Sequence, residues 1–262
     1  MRIVFFGASE LGFDCCNMLV QEGHHVVGIL TLPSSFNIKY KDEVQSKEVK
    51  NVLFKDFNYF KQEHNIPVES VTGKMSEYVE RVERWNPELI IVIGWYFMIP
   101  QKIMNLPSKG VVAIHASLLP KYRGNAPLVW AMINGEKETG VSFFYISDGV
   151  DEGDIIKQEK FEITEDDTIL NVLKKTSQAS LKVLKECVPL LAAGTSKRIK
   201  QDHSQATLFP KRSPEDGLID WSWSPNKIKN FIRAQTKPYP GAFTIINGKK
   251  ITIWDASIDP IN

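Results

Sequence analysis

Two stretches of this chain combine residue types and spacings that chemistry can use. The first is His115-Ala116-Ser117-Leu118-Leu119-Pro120-Lys121-Tyr122-Arg123-Gly124-Asn125-Ala126-Pro127. A lone histidine at the end of a buried strand is usually a satisfied core residue. This one leads into two prolines, a glycine and two cations, which suits a rigid binding loop better. Imidazole titrates near neutrality, so such a residue is a candidate for moving a proton. The second stretch is Ser147-Asp148-Gly149-Val150-Asp151-Glu152-Gly153-Asp154, four carboxylates in a glycine-rich turn. Taken alone it reads as a solvated acidic turn. Its spacing misses the calcium loop D-x-[DN]-x-[DN]-G, and with no Cys/His cluster elsewhere no metal is expected.

These residues need a scaffold that brings them together. Arg2–Phe6 is an apolar strand, and Gly7-Ala8-Ser9 turns the chain into a helix that Ser9 can cap and Gly23 closes. Leu11, Cys15, Met18 and Leu19 fall on one helical face. His25–Leu32 is a second strand. Pro33–Asp56 is polar, lysine-rich and weakly periodic, and reads as a long surface excursion. A short helix near Phe57–His64 and another near Met75–Trp85 flank a strand at Val68–Val71. Leu89–Ile93 and Gly110–His115 are continuous apolar runs, as for central parallel strands covered on both faces. Asn125–Ile133 reads as a helix, and Val141–Ile146 and Ile155–Lys160 as strands. Asp167 is a candidate cap for a helix from Thr168 to about Leu191, which Pro189 would bend or shorten. Past Gln201 the rhythm changes. A helix near Asn226–Ala234 precedes the rigid turn Thr236–Gly241, and Asn247-Gly248 marks a hairpin. The expected fold is α/β: a Rossmann-like, mostly parallel sheet with helices on both faces, plus a small C-terminal helix-and-hairpin module. The expected domains are residues 1–202 and 203–262.

Composition narrows the function. With 262 residues, 24% charged and 43% hydrophobic, the chain is an ordinary globular one. Its net charge of +1 argues against holding nucleic acid by phosphate neutralisation. No run reaches the length needed to span a bilayer. The opening MRIVFFG enters a strand without a basic leader, and Cys15, Cys16 and Cys187 form no framework, so a cytoplasmic setting is expected. Ligands of parallel α/β sheets sit beyond the carboxyl ends of strands. Gly7–Gly12, Gly94–Pro100 and the loop from His115 have that address. Gly7–Gly12 lacks both GxGxxG and GKS/T, which disfavours a nicotinamide dehydrogenase and leaves a turn whose N–H groups could face an anion.

HASLLPKYRGNAP followed by TGVSFFYISDGVDEGDI resembles the N10-formyltetrahydrofolate-dependent formyltransferases. The likeness extends over Met1–Leu191, and FPKRSPEDGLIDW and KPYPGAF look like the second domain of that superfamily. The resemblance implies His115 as the catalytic histidine and Asp151 as the catalytic aspartate. It also implies an asparagine two residues before the histidine, where this chain has Ala113. Either the lineage diverged or the alanine was introduced to disable turnover; the intact surroundings favour the second. By the same resemblance, N10-formyltetrahydrofolate is the co-substrate, its pterin held by Ile93, Gly94, Trp95, Tyr96, Phe97, Phe143 and Asp148. For the aromatic rings, plain core packing is an equal alternative.

KYRGNAPLVWAMINGE and KPYPGAF look closest to the sugar-nucleotide N-formyltransferases, which modify amino sugars of surface polysaccharides. The expected substrate is therefore a nucleotide-linked amino sugar, dTDP-3- or 4-amino types favoured and UDP-amino-arabinose an option. Lys121 and Arg123 are candidate pyrophosphate contacts, against the plain reading of exposed loop charge. Ser9, Ser117, Tyr122 and Asn125 are candidates for touching sugar or nucleotide. Two rivals stand beside this reading: a methionyl-tRNA formyltransferase, and a sugar-nucleotide or folate-binding protein without chemistry. An isolated hairpin is marginal, so the C-terminal module is expected to pair with a second copy in a homodimer.

Overall fold

The computed structural model describes residues 1–38 and 47–260. The chain opens with β1 (Arg2–Gly7), α1 (Glu10–Gln21) and β2 (His25–Thr31). Ser9 is extended, and its Oγ accepts the Gly12 N–H at 3.3 Å, so the side chain expected to cap α1 does so. Next come β3 (Ser35–Ile38) and β4 (Lys47–Lys50), an antiparallel pair. A featureless excursion was expected over Pro33–Asp56, of which residues 39–46 lie outside the described residues. The pair owes its place to Phe36, which buries against Tyr96 and Phe97 at ring-centroid distances of 5.0 and 5.6 Å. No local periodicity announces such a contact.

The chain continues through α2 (Asn58–His64), β5 (Val68–Ser70), a 3₁₀ turn at Met75–Tyr78, α3 (Val79–Arg84), β6 (Leu89–Ile93), α4 (Gln101–Met104) and β7 (Val111–His115). Then follow the two-residue β8 (Arg123–Gly124), α5 (Pro127–Ile133), β9 (Glu138–Tyr145), β10 (Ile155–Glu162) and α6 (Ile169–Ala193). The expected 75–85 helix is thus split, with its first turn wound as 3₁₀. Thr168, not Asp167, caps α6; the Asp167 carboxylate turns back to accept from Thr164 N at 2.7 Å and Lys175 Nζ at 2.6 Å. Pro189 does not end α6, which closes at Gly194 in the left-handed region. The chain finishes with β11 (Leu208–Phe209), α7 (Pro225–Arg233) and the hairpin β12 (Ala242–Ile246) and β13 (Lys249–Ile253).

The central sheet has the order β10-β9-β7-β6-β1-β2-β5. Five strands are parallel, while β9 and β10 run antiparallel at one edge. One face buries Cys15, Cys16 and Leu19 of α1, Phe60 of α2 and Val183, Leu184 and Val188 of α6 against Ile3, Phe5 and Ile91. The other buries Val82 of α3 and Ile103 of α4 against Val4, Phe6, Ile90 and Val92. A third cluster joins Leu128, Val129 and Met132 of α5 to Phe231 and Ile232 of α7 and Ala242 of β12. The fold is the expected α/β sheet with a C-terminal helix-and-hairpin module seated on α5. Among the described residues no helix is long and apolar enough to cross a membrane.

Candidate functional site

His115 ends β7, one strand from the middle of the sheet. Alternation along the strand puts it on the same face as Ala113, the face covered by α3 and α4. Its Nε2 lies 2.7 Å from the Tyr122 carbonyl oxygen, which can only accept, so Nε2–H donates there. Its Nδ1 lies 3.5 Å from Asp151 Oδ2. The histidine side chain is 11% exposed and the aspartate 23%, so the pair is sheltered but reachable. The two residues that the motifs singled out are therefore brought together.

The surrounding backbone is held hard. Tyr122, Ala126 and Asp151 have φ of +58, +51 and +53°, left-handed conformations that cost a non-glycine residue about 1 kcal/mol or more each. Such strain persists only where neighbours over-determine it. Gly124 N–H donates to Asp151 Oδ2 at 2.8 Å. The buried Ser142 Oγ donates to Ser117 O at 2.6 Å and accepts from Leu119 N at 3.0 Å, tying the loop after His115 to β9. Tyr122 N donates to Thr207 Oγ1 at 2.8 Å, and β8 pairs with β11.

Several expected contacts are not where a ligand could use them. Arg123 is 5% exposed and its guanidinium is taken by Gln201 Oε1 and Glu152, so it is a buried clamp and not a pyrophosphate contact. The Tyr122 ring stacks on Phe209 at 4.8 Å, and its hydroxyl donates to Glu136 at 2.6 Å. Burial, then that hydrogen bond, pushes the Tyr122 phenol up to about 12. Ser117 Oγ is spent on the Lys121 carbonyl at 2.7 Å, and Ser9 Oγ on its helix cap. Lys121 and Asn125 remain exposed. The side chains of Ile93 and Phe143 belong to the opposite core, so only their backbone could meet a ligand on the face of His115. Trp95 and Phe97 do pack on that face, with Trp95 5.5 Å from the Phe6 ring. Gly94, at φ +64°, lies so close to Ser9 that a Cβ would fall 1.9 Å from its Oγ, which excludes a side chain there. Tyr96 donates to Asn51 Oδ1 at 3.1 Å, and Asp148 is exposed.

Three positions escaped sequence reading. Gln201 is buried between the Arg123 and Asp151 loops. Asn51 links the Tyr96 hydroxyl to the Ala8 carbonyl, at 3.1 and 2.6 Å. Tyr239, in the turn before β12, is pushed up to about 12 by burial and then by Tyr96, so the C-terminal turn lies within electrostatic reach of the 93–97 loop. None sits in a periodic pattern; KPYPGAF was the one available signal, for Tyr239.

The arrangement is a histidine and a carboxylate sheltered at the end of a β-strand, with a left-handed loop held around them. The Formyl transferase family pattern matches residues 1–188, and the Formyl transferase C-terminal domain pattern matches residues 211–262. The chain belongs to the formyl transferase family, whose formyl donor is N10-formyltetrahydrofolate. A methionyl-tRNA formyltransferase from Alkaliphilus oremlandii is 34% identical over 98% of this chain and 80% of its own length. Among solved structures, a 4-N formyltransferase from Francisella tularensis has a TM-score of 0.75 at 19% identity, covering 99% of this chain and 98% of that one. HypX from Aquifex aeolicus has a TM-score of 0.69 at 20% identity over 97% of this chain, which spans 38% of the HypX chain.

These findings correct the expected substrate. Further methionyl-tRNA formyltransferases are 32–36% identical over 97–98% of the chain. The likeness to sugar N-formyltransferase structures stands at 16–21% identity and shows the fold alone. Of the side chains expected to touch a sugar nucleotide, Arg123, Tyr122 and Ser117 are buried, while Lys121 and Asn125 stay exposed.

Proposed function

We propose that this protein transfers the formyl group of N10-formyltetrahydrofolate to the amino group of methionyl-tRNA. The observation that carries the reading is identity above 30% with enzymes of that name along nearly the whole chain, joined to the His115–Asp151 pair. Charge distribution supports it. Residues 189–262 hold 11 Lys and Arg against 6 Asp and Glu, while residues 1–188 hold 21 against 25. The near-neutral total conceals a basic C-terminal portion suited to phosphates. Residues 1–202 then carry the transfer site, and residues 203–262 face the RNA.

The folate fits the residues present. Trp95 and Phe97 offer flat apolar walls, and Trp95 Nε1 is a buried donor with no partner among the described residues. The folate supplies a formyl carbon on a tertiary nitrogen, open to attack by an amine. The amine must attack neutral. His115 holds its Nε2 proton on the Tyr122 carbonyl, so its Nδ1 is the nitrogen that takes the proton the amine sheds. Asp151, 3.5 Å away, then faces the cationic ring and stabilises it, and the ring would give that proton to the folate nitrogen as its bond to the formyl carbon breaks. Negative charge developing on the formyl oxygen would be met in the family pattern by an asparagine amide; Ala113 has none to offer.

The test is formylation of initiator methionyl-tRNA by the purified chain with N10-formyltetrahydrofolate. Formylated methionine on the tRNA is expected. Saturable binding of both ligands with no product, even after Ala113→Asn, would instead mark a binding protein. Formylation of a nucleotide-linked amino sugar and not of the tRNA would overturn the reading.

The hairpin supports a homodimer. Ile246 and Ile251 share one face of the two-stranded sheet and are 52 and 45% exposed, and such a sheet gains stability by burying a face. Sedimentation at micromolar concentration should give twice the chain mass; a monomer there removes the dimer.

A further inference from the structure

Residues 189–210 lie between the two family matches, yet this stretch touches both partners of the reacting histidine. Gln201, 6% exposed, uses every hydrogen-bonding position it has. Its Nε2 donates to Asp151 O at 2.7 Å and Gly153 O at 2.8 Å. Its Oε1 accepts from Arg123 Nη2 at 2.7 Å and Nε at 3.2 Å. Arg123 and Gly124 form β8, and Gly124 N–H holds the Asp151 carboxylate. Gln201 therefore grips the Asp151 loop by its backbone and, through Arg123, the strand that grips the same aspartate by its side chain.

We infer that Gln201 is a positioning residue: it fixes Asp151 in its left-handed conformation and so sets the carboxylate against His115 Nδ1. The argument rests on the roles given above to His115 and Asp151. An aspartate at φ +53° relaxes toward φ < 0 unless its peptide groups are tied down, and Gln201 makes the tie at its carbonyl. Arg123 carries a buried charge whose planar guanidinium needs an acceptor. The Gln201 amide meets both needs at once, because its donors and its acceptor lie on one rigid plane. The stretch 189–210 thus completes the site instead of only joining its two sides.

Two variants test this. Gln201→Leu removes all four hydrogen bonds. Gln201→Glu keeps an acceptor for Arg123 and removes both donations to the Asp151 loop. In each, turnover should fall about 10–10²-fold, as displacement of a reacting group by about 1 Å does, while KM for folate and tRNA stays within about twofold. The amide proton of Gly124, shifted downfield by donating to a carboxylate, should move upfield in the NMR spectrum of both variants. If Gln201→Leu fails to fold, Gln201→Glu decides. An unchanged turnover, or an unmoved Gly124 amide, in folded Gln201→Glu overturns the inference. If the unmodified chain forms no formylated tRNA, the functional reading fails, while the Gly124 amide still reports on whether Gln201 holds Asp151.

Discussion

At Ala113 the site and the family pattern part. The side chain is 7% exposed and lies on the same strand face as His115, two residues away. Under the proposed function, a side-chain amide there would be the donor for the oxyanion that develops beside the imidazole. One such donor is worth roughly 10²–10³ in turnover. Ala113→Asn is therefore expected to raise turnover by about that factor, with KM for both substrates little changed, since the donor acts on charge absent from the ground state. Single-turnover measurement isolates the step. A folded variant with an unaltered rate would mean that another group serves the oxygen. That His115 and Asp151 meet was legible through the family resemblance of their two loops, since by residue type alone one reads as a core histidine and the other as a solvated acidic turn. Arg123 and Tyr122 misled, since a cation and a phenol in a binding loop read alike whether they face ligand or core. Only the long-range partners Gln201, Glu136 and Phe209 decide which.

Among elements, the sheet strands and α1 were readable from apolar runs and one cap, because a strand buried on both faces leaves a continuous signature. The two-residue β8 and β11 were not, being made by hydrogen bonds between segments some 85 residues apart, with no periodicity to show it. The start of α6 lies between these cases. Arg233 of α7 donates to the Thr164 and Asp167 carbonyls at 2.7 and 2.8 Å, docking the C-terminal module on this turn. Burial pushes the Asp167 carboxyl up, but the hydrogen bonds from Lys175 and Thr164 outweigh it and hold the group below its ordinary value. A carboxylate lowered in the folded state adds stability above its unfolded pKa and loses it as pH falls through the folded one. Lys175→Met should thus cost about 1–3 kcal/mol at pH 7, with solvent at the half-buried lysine favouring the low end. The carboxylate share of that cost should vanish well below pH 4, once the carboxyl is protonated, while the lost donation from Lys175 to the Glu162 carbonyl remains. Thermal unfolding of both proteins between pH 2 and 7 measures it; a pH-independent difference would assign the loss to the Glu162 contact and packing of the lysine stem.

Over the whole molecule, charge is what the sequence total hid. A net of +1 read as evidence against an RNA partner, but a sum has no position, and binding depends on where the cations lie. The C-terminal portion spreads exposed Lys227, Lys237, Lys249 and Lys250 over α7, the 236–241 turn and the hairpin. Three of these ammonium groups lie over aromatic rings: Lys227 Nζ is 4.2 Å from the Trp223 ring centre, Lys250 Nζ 4.0 Å from that of Phe243 and Lys237 Nζ 5.4 Å from that of Trp254. A cation over a ring face is held by the ring quadrupole, which fixes these charges in place on the C-terminal portion. Lys237 is the informative one, because Tyr239, two residues on, lies within electrostatic reach of Tyr96 in the loop next to the site. A phosphate contact there would hold the acceptor end of the RNA near His115. Each phosphate neutralised releases condensed counterions, so the logarithm of the tRNA binding constant should fall linearly with the logarithm of salt concentration. Lys237→Gln should weaken binding a few-fold and make that slope shallower by about 1, with folate affinity unchanged. Titration of labelled tRNA from low to moderate salt measures both quantities. A flat salt dependence in the unmodified protein would mean that the basic C-terminal portion does not meet a polyanion, and the acceptor would then have to be a small amine read by the cleft alone.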